Sequence, residues 1–465
     1  MSDSVDPSDA TDRTDDAFDD EYPVQVFPEA EEMDLRPGTD DCYKCSSCDV
    51  SCPVAEVDDT FPGPKFQGPE QWRLTRKEDV EVDASIKQCS NCMRCDSACP
   101  SGVPLSQMHN TARAKYVEEQ GLSLTYLRDR ILANYGTLAR LGSRVPRLTN
   151  LVMGLGITKL VNERVLGITS EREFPAFATE TFREWWDERG GDDASKARAQ
   201  EARRLRRLGQ GERRSRERTR AERGDEDRKR VAYFHGDYAN YNTPEVAKAL
   251  VRVYEHFGYE VAVPDQRCSG TPMFANGMMD DARRAARFNV ETFRELIEEG
   301  YDVVCSCTSC SMALRKEYPE LFDFEGTDAV AAHTYDAVEY LRIHEDLPSA
   351  LADSAVSLGE FAYHAPCHAR NQGLANQSRE VFADLDGVDV TDVGDSCSGI
   401  SGTYGWKGEN YDVSMAIGEE MFEHMEAVES SVGMTECPTC AMQMEHGTGY
   451  EIRHPLEVLE AAVVE

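Results

Sequence analysis

Length, composition and charge already exclude several classes of protein. The chain has 465 residues, which is room for about three domains of ordinary size. Its 86 acidic and 50 basic residues give a formal net charge of -36, so nucleic acid, whose phosphates bind cationic surfaces, is not an expected partner. Because salt screens the repulsion within such an acidic surface, the composition predicts a halophilic host.

The amino-terminal residues predict an acidic tail without a targeting signal. Residues 1–41 carry 15 acidic and 2 basic side chains, and we expect them to be disordered. They lack the basic and apolar regions of a secretory signal, which predicts a cytoplasmic protein. In that reducing compartment, clustered cysteines indicate metal ligands rather than disulfides. The best apolar stretch, residues 148–158, is too short to span a bilayer.

Two cysteine motifs with identical spacing follow the tail. They read C-Y-K-C-S-S-C-D-V-S-C-P and C-S-N-C-M-R-C-D-S-A-C-P, and the shared pattern C-x2-C-x2-C-x3-C-P is typical of proteins that hold two [4Fe-4S] clusters. In this pattern the fourth cysteine of each motif binds the cluster of the other motif. Each predicted ligand set therefore combines three cysteines of one motif with the fourth cysteine of the other. These sets are Cys42, Cys45, Cys48 and Cys99 for one cluster, and Cys89, Cys92, Cys95 and Cys52 for the other. Structural zinc needs only two C-x2-C pairs and explains the repeated motif less well.

The sequence predicts an α+β multidomain fold. Residues 42–190 combine the cysteine motifs with mostly helical apolar spacing, which predicts a mainly helical ferredoxin-type domain with two [4Fe-4S] clusters. Residues 191–230 are Arg-rich and lack an apolar stripe, so they predict a solvated linker or an exposed helix that contains a domain boundary. Six short β-like runs then alternate with helical patterns: V-A-Y-F, Y-E-V-A-V, Y-D-V-V-C, F-A-Y-H, V-D-V-T-D-V and S-V-G-M-T. This alternation predicts two α/β cysteine-rich domains with largely parallel strands, at 231–350 and 358–465.

The two carboxy-terminal domains are predicted to be an internal duplication. V-A-Y-F-H-G-D matches F-A-Y-H-A-P-C, and V-C-S-C-T-S-C matches M-T-E-C-P-T-C. Cys268 precedes Cys307 by 39 residues, and Cys397 precedes Cys437 by 40 residues. The match predicts two similar domains, each with a cysteine site at its strand ends.

The second repeat carries a more complete ligand set than the first. Its four thiols are enough for a tetrahedral zinc or an additional iron–sulfur cluster. They are Cys367, Cys397, Cys437 and Cys440. The first repeat supplies an incomplete set, formed by Cys268, Cys307, Cys310 and Asp237. Asp237 stands where Cys367 would be, and it is either a carboxylate ligand or a loop acid without metal contact.

Three further residues near these sites have structural interpretations. Cys305 lies on a predicted strand, which favours a buried strand thiol over a ligand. His364 and His368 flank Cys367, where a histidine can shuttle protons. A hydrogen-bonded structural role is nevertheless favoured for both histidines.

Taken together, the motifs resemble a known family. The order of two C-x2-C-x2-C-x3-C-P runs and two cysteine-rich domains is similar to that of iron–sulfur subunits related to heterodisulfide reductase. The chain resembles the C subunits of the anaerobic glycerol-3-phosphate dehydrogenases in two further blocks, H-G-D-Y-A-N-Y-N-T-P and C-S-G-I-S-G-T-Y-G-W-K-G-E-N-Y. The resemblance implies a non-catalytic electron-transfer subunit used in anaerobic respiration. It would pass electrons from a flavin-containing dehydrogenase partner to membrane quinone, as a peripheral protein on the inner face of the cell membrane. No G-x-G-x-x-G flavin fingerprint follows a predicted strand, in agreement with a separate flavin subunit.

The chain also departs from the family pattern. The family's C-C-G is C-S-G at Cys268 and at Cys397, and Asp237 replaces a further cysteine. These changes argue against the five-thiolate cluster of the reductase relatives. Tyr404 and Lys407, in the second glycine-rich block, are either loop-packing residues or neighbours of a bound quinone.

Two alternative functions stay open. One is an iron–sulfur subunit of a lactate or glycolate oxidase, or of a heterodisulfide reductase-like enzyme. The other is a zinc-holding adaptor or anchor, whose Arg-rich segment binds acidic partners or anionic lipid. The missing C-C-G thiolates weaken the heterodisulfide reductase-like enzyme and favour the adaptor for the first repeat. The Y-G-W-K block favours the glycerol-3-phosphate partner.

Overall fold

The computed structural model describes residues 41–75, 81–209, 229–352, 354–383 and 385–464. The predicted acidic tail lies outside these residues apart from Asp41, and so does most of the second half of the Arg-rich segment. Within the described residues the predicted α+β arrangement is confirmed, because a helical amino-terminal part precedes two α/β repeats.

Short helices frame the two cysteine motifs. The fourth cysteines, Cys52 and Cys99, have extended backbone at the ends of short helices. Pro53 begins one of them, at a position where the N–H that proline lacks would have no helical partner. The helical turns of this region are Ser47–Val50, Pro53–Val57, Phe66–Glu70, Gln71–Thr75, Ala84–Gln88 and Arg94–Ala98.

Longer helices continue from the motifs to the first repeat. The first of them buries Met108, His109 and Arg113 on the side of the cysteine motifs. Three later helices bury no residue at all. The helices are Leu105–Gln120, Leu124–Ala133, Tyr135–Gly142, Pro146–Gly154, Gly156–Val161, Asn162–Leu166, Phe182–Glu188 and Gly191–Gly209.

Each repeat is built on a four-stranded parallel sheet. Strands β1 (Arg230–Phe234), β2 (Glu260–Ala262), β3 (Asp302–Cys305) and β4 (Thr334–Asp336) form the first sheet, in the order β2-β1-β3-β4. Strands β5 (Gly359–Tyr363), β6 (Val388–Asp392), β7 (Val432–Met434) and β8 (Glu451–Arg453) form the second, in the order β6-β5-β7-β8. The identical order agrees with the duplication predicted from the sequence.

The apolar runs predicted six of these eight strands. The edge strands β4 and β8 are only three residues long, and their sequences T-Y-D and E-I-R contain no apolar run. They become strands by pairing with β3 and β7, which is a tertiary contact.

Helices pack on both sheets. Those of the first repeat are Tyr238–Tyr241, Pro244–His256, Thr271–Ala275, Met279–Glu298, Thr308–Met312, Ala313–Glu317, Tyr318–Leu321, Thr327–Ala332, Ala337–His344 and Leu347–Leu351. Those of the second repeat are Cys367–Arg370, Gln377–Phe382, Tyr404–Trp406, Gly408–Asn410, Tyr411–Glu426, Pro438–Thr448 and Pro455–Val463.

The two repeats share one hydrophobic core. Helix Pro244–His256 of the first repeat packs against helix Pro455–Val463 of the second. Arg252 and Glu460 form an ion pair of 2.7 Å beside that contact. Leu459 is fully buried in a core that also contains strand residues of both sheets. The repeats therefore fold against each other, and the ends of their strands keep a defined relative position.

A buried polar network crosses this core. Glu436 accepts hydrogen bonds from Tyr363 at 2.9 Å and from Ser378 at 2.6 Å. Gln377 donates to Glu436 at 3.3 Å and to Asp336 of the first repeat at 3.1 Å. Burial, and then the nearby Glu436 carboxylate, raise the pKa of Asp336 to about 7. The network is therefore most stable when one of the two carboxyl groups holds a proton.

The first half of the Arg-rich segment is a largely exposed helix, one of the two predicted alternatives, and one side of it packs against the first repeat. Residues Gly191–Gly209 form one helix. Ser195 is fully buried there, and its Oγ accepts the amide N–H of Val261 at 3.1 Å. Arg203 pairs with Glu260 at 2.8 Å. The helix thereby covers the edge strand β2, while the predicted domain boundary stays a prediction.

Replacing Leu459 by alanine tests the shared core. The lost methyl groups leave a cavity between the repeats, and we expect the free energy of unfolding to fall by about 2–5 kcal/mol. The matched control is Ile343→Ala: Ile343 is 59% exposed, so its change should stay within about 0.5 kcal/mol. Denaturant unfolding followed by tryptophan fluorescence measures both, and equal effects would contradict a core that depends on Leu459.

Candidate metal centres and the cavity between the repeats

The structure brings the eight amino-terminal cysteines together as two groups of four. Each group lines its own small cavity and combines three cysteines of one motif with the fourth cysteine of the other. The groups are Cys42, Cys45, Cys48 and Cys99, and Cys52, Cys89, Cys92 and Cys95. Four thiols around a small cavity are the donor set that a [4Fe-4S] cluster takes, so the residues present fit two such clusters.

Left-handed backbone shapes both motifs in the same way. Lys44 and Ser46, on either side of the second cysteine of the first motif, have φ of 57° and 63°. Asn91 and Met93 have φ of 60° and 62° at the equivalent positions of the second motif. Non-glycine residues rarely adopt this conformation. Its repetition at equivalent positions therefore indicates a shared turn that directs the thiols inwards.

Basic groups surround Cys89 in the second group. His109 Nδ1 lies 3.8 Å from Cys89 Sγ, and His109 Nε2 lies 3.0 Å from the carbonyl oxygen of Pro64. Arg113 donates to the carbonyl oxygen of Cys89 at 2.7 Å. Burial acts to raise the pKa of this thiol, but Arg113 and His109 lower the pKa of Cys89 to about 6. In the first group, by contrast, burial raises the pKa of Cys48 to about 12.

The four predicted ligands of the second repeat lie at the carboxyl ends of its strands. Cys367 and Cys397 follow β5 and β6, and their sulfur atoms are 3.7 Å apart. Cys437 and Cys440 follow β7 and hydrogen-bond to each other. Ser398, the serine of the second C-S-G, is buried with its Oγ 3.3 Å from Cys440 Sγ. These groups converge at the switch point of the sheet, where open α/β folds bind ligands.

The incomplete set of the first repeat has the same placement. Asp237 follows β1 and lies beside Cys268, which follows β2. Burial raises the pKa of Asp237 to about 6. Cys307 follows β3 and contacts both Cys310 and Cys437, a cysteine of the second repeat. The two sets of thiols therefore meet across the boundary between the repeats.

One cavity of about 470 Å³ connects these sites. Thiols of both repeats line it, together with Cys92 of the second amino-terminal group. Leu132, Tyr135 and Phe174 contribute apolar wall from the helical part of the chain. His235 also lines the cavity, and its buried Nε2 has no hydrogen-bond partner among the described residues. An apolar cavity with a few converging polar groups is the usual form of a small-molecule site.

Tyr404 and Lys407 lie beside this cavity rather than in its wall. Tyr404 packs in a small core with Cys52 and Cys397. Lys407 is buried and pairs with Asp129 at 3.2 Å. A role next to a quinone therefore stays a prediction for both residues.

The other residues singled out in the sequence differ in outcome. Cys305 is a fully buried thiol of β3, which confirms the structural interpretation. His368 lines the cavity and hydrogen-bonds to the backbone of Asn91. His364 is fully buried, and neither of its ring nitrogens has a hydrogen-bond partner among the described residues. The hydrogen-bonded role predicted for His364 is therefore wrong.

The basic residues around the thiols were missed by the sequence-based reasoning. Arg94 donates to the carbonyl oxygen of Asp395 at 2.8 Å. Burial acts against its charge, but nearby Cys367 keeps the pKa of Arg94 above its ordinary value. Arg94 and His109 follow no known spacing relative to their cysteines. Their only signal in the sequence is a basic side chain within or shortly after the second cysteine motif.

Two properties of the described residues bear on metals and membranes. Within them, no group of three or more His, Cys, Asp or Glu side chains is arranged to hold a single metal ion. None of the described helices has both the length and the apolar character that crossing a bilayer requires.

Known families match both halves of this architecture. Residues 38–103 match the 4Fe-4S dicluster domain, and residues 231–315 and 361–445 each match the Cysteine-rich domain. Together with the grouped thiols, these matches define an iron–sulfur protein in which a dicluster domain precedes two cysteine-rich domains. The chain accordingly binds iron–sulfur clusters.

A nearly full-length match shows the family. The chain is 31% identical over 426 residues to the C subunit of anaerobic glycerol-3-phosphate dehydrogenase from Escherichia coli strain K12, and the match covers 91% of this chain and 98% of the relative. The chain therefore belongs to the family of anaerobic glycerol-3-phosphate dehydrogenase C subunits, as the sequence motifs suggested, and is an iron–sulfur electron-transfer protein.

Other relatives match about half of the chain. The B subunit of fumarate reductase (CoM/CoB) from Methanothermobacter marburgensis is 29% identical over 246 residues, which are 50% of this chain and 46% of the relative. Lactate utilization protein A of an Exiguobacterium species is 27% identical over 230 residues, which are 48% of this chain and 90% of the relative.

Exchanging His109 for leucine tests its contact with Cys89. A hydrogen bond to a ligating sulfur raises a reduction potential, so its loss should lower the midpoint potential of one iron–sulfur centre by on the order of tens of millivolts. A redox titration followed by electron paramagnetic resonance measures the shift. His333→Leu is the control, because His333 is exposed and pairs with Asp302. An unchanged potential in the His109 variant, at normal iron content, would argue against the contact.

Proposed function

We propose that this chain carries electrons from a flavin-containing dehydrogenase subunit to membrane quinone, within a glycerol-3-phosphate dehydrogenase complex of anaerobic respiration. The chain does not oxidise the substrate itself. It works at the cytoplasmic face of the cell membrane, as a peripheral subunit. The name of the Escherichia coli relative and the extent of its match support this proposal.

Two [4Fe-4S] clusters are assigned to the two groups of four amino-terminal thiols. When bound, such clusters take up and release one electron at a time. The chain holds each group with the left-handed turns of its motif and with the fourth cysteine of the other motif. Cys52 and Cys99 thereby tie the two centres to each other.

One observation carries the proposal: the second amino-terminal thiol group adjoins the thiols of the second repeat. Cys92 of the second amino-terminal group lines the same cavity as Cys367 of the second repeat. After burial, the nearby Cys367 is the largest influence that raises the pKa of Cys92. Tyr404 packs in one small core with both Cys52 and Cys397. Adjoining sites of this kind suit a chain that moves single electrons.

A further iron–sulfur cluster is assigned to the second repeat. It is favoured over a zinc ion because no group of three or more donors among the described residues is arranged to hold a single metal ion. Its ligands are Cys367, Cys397, Cys437 and Cys440. Ser398, which replaces the second cysteine of C-C-G, offers a hydroxyl oxygen next to Cys440 instead of a fifth thiolate. The set of the first repeat, Cys268, Cys307, Cys310 and Asp237, is a weaker site because one of its four donors is a carboxyl group.

The electron acceptor is assigned to the cavity between the repeats. Its apolar wall suits a quinone ring, and its volume of about 470 Å³ is within the range of small-molecule sites. Tyr135 stacks on Tyr238 at 5.3 Å between ring centroids, and both line the cavity. Reduction of a quinone to a quinol takes two electrons, which arrive singly through the chain, and two protons, which come from water.

A lactate-oxidising partner is the second candidate. Lactate utilization protein A matches 48% of this chain along almost its whole length. The glycerol-3-phosphate partner is favoured because its relative matches 91% of this chain. A zinc-holding adaptor accounts for the second repeat but leaves the amino-terminal thiol groups without a role.

Iron content tests the ligand assignments. We expect about eight irons per anaerobically purified chain for two clusters, and about twelve if the second repeat holds a third. Cys52→Ser should remove about four irons and one of the two resonance signals. Cys305→Ser is the matched control, because Cys305 is a buried thiol outside both groups. Fewer than about four irons together with stoichiometric zinc would favour the adaptor.

Filling the cavity tests the acceptor site. Ala275 lines the cavity, so Ala275→Trp should cut the rate of quinone reduction by the dithionite-reduced protein to below about a tenth. Ala352→Trp, at an exposed position, should leave the rate unchanged. Both variants are compared at equal iron content and with unchanged resonance signals. A normal rate in Ala275→Trp would place the acceptor elsewhere.

A further inference from the structure

Exposed apolar side chains are concentrated in residues 122–165. Among the described residues, 21 large apolar side chains are exposed, and 14 of them lie in this segment. The segment comprises only 44 of the 465 residues. Monomeric proteins rarely expose so large a contiguous apolar surface without using it. We call it the 122–165 surface.

The helices of this surface contribute almost nothing to the core. Helices Pro146–Gly154 and Gly156–Val161 bury no residue, and helix Tyr135–Gly142 buries only Ala139. Leu148 and Leu151 are 58% and 64% exposed. With Val152 and Leu155, which are also exposed, they recur at helical spacing and form one apolar face.

Polar contacts hold the opposite side of these helices against the rest of the chain. Asn150 Nδ2 donates to the carbonyl oxygen of Phe177 at 2.9 Å, and the amide N–H of Phe177 donates to Asn150 Oδ1 at 2.9 Å. Lys159 pairs with Glu173 at 3.6 Å. These contacts fix the helices on their polar side, so the apolar face is directed outwards.

The charge of the 122–165 surface is opposite to that of the whole chain. Its segment contains 7 basic and 2 acidic residues, a net charge of +5 in a chain of net charge -36. Arg140, Arg144 and Arg147 are exposed, and no ion pair joins them to the described residues. Apolar side chains next to exposed cations are the combination that binds the interface of an anionic bilayer.

The surface also adjoins the proposed acceptor site. Leu132 and Tyr135 belong to the same segment and line the cavity between the repeats. An apolar molecule dissolved in a bilayer under this surface therefore has a short route to the cavity.

We propose that the 122–165 surface docks the chain on an anionic lipid bilayer. Leu148, Leu151 and Ile157 enter the acyl region, while Arg144 and Arg147 lie at the headgroups. The helices lie in the interface and do not cross the bilayer. This inference rests on the proposed function, in which the chain is a peripheral membrane subunit and a membrane quinone is the acceptor.

Vesicle sedimentation with the full, cluster-containing chain tests the docking surface. The parent chain should sediment with phosphatidylcholine vesicles that contain about one third phosphatidylglycerol. The double variant Leu148→Glu/Leu151→Glu should bind at least about tenfold more weakly, because carboxylates do not enter the acyl region. Ile343→Glu is the matched control: Ile343 is 59% exposed on the first repeat, so this variant should bind like the parent. Arg144→Glu/Arg147→Glu should weaken binding to anionic vesicles only.

Two results would overturn the docking surface. One is a parent chain that binds neither anionic nor neutral vesicles. The other is a parent dimer that Leu148→Glu/Leu151→Glu dissociates, which would mean that a second copy covers the surface. Resonance spectra and reduction of a water-soluble dye are recorded on the same samples. A parent chain that fails to bind vesicles but has normal spectra and dye reduction overturns the docking surface and leaves the electron-transfer role intact. Vesicle binding without iron–sulfur signals overturns the electron-transfer role and leaves the docking surface intact.

Discussion

Helix Pro244–His256 packs against helix Pro455–Val463 in a core that both repeats share, so the two sheets cannot separate without exposing it to water. In a parallel sheet of this kind every ligand-bearing loop leaves from the same edge. The duplication creates two such edges, and the shared core turns them towards each other. Cys307 of one repeat therefore contacts Cys437 of the other, and the cavity between them is a product of that packing.

Basic side chains lie next to the buried thiols. Arg113 and His109 reach Cys89, and Arg94 lies near Cys367. Such neighbours stabilise negative charge that burial alone would disfavour. Farther along the chain, the 122–165 surface is basic and apolar while the chain as a whole is strongly acidic. That contrast gives the molecule a defined orientation towards an anionic surface.

Features that depend on residues close together in the sequence were predicted correctly, whereas features that depend on contacts between distant residues were not. The cysteine motifs and six of the eight strands were predictable because ligand spacing and apolar runs are local. The edge strands β4 and β8 were missed because only pairing with their neighbours makes them strands. For helix Gly191–Gly209 the choice between a solvated linker and an exposed helix stayed open in the sequence, because its few buried groups, such as Ser195, follow no apolar stripe. His364 was expected to be hydrogen-bonded, yet the packing around β5 provides no partner among the described residues.

The sequence by itself determined the type and grouping of the thiols, the duplication and the resemblance to the family, because each depends on residue identity and spacing along the chain. Tertiary structure alone decided that Cys92 and Cys367 share one cavity, that His109 reaches Cys89, and that Tyr404 and Lys407 lie outside the cavity wall. It also decided which apolar residues remain exposed, since a leucine of the 122–165 surface looks no different in sequence from a leucine of the core. The physical reason is that burial and contact between residues far apart in sequence arise only when the helices and sheets pack.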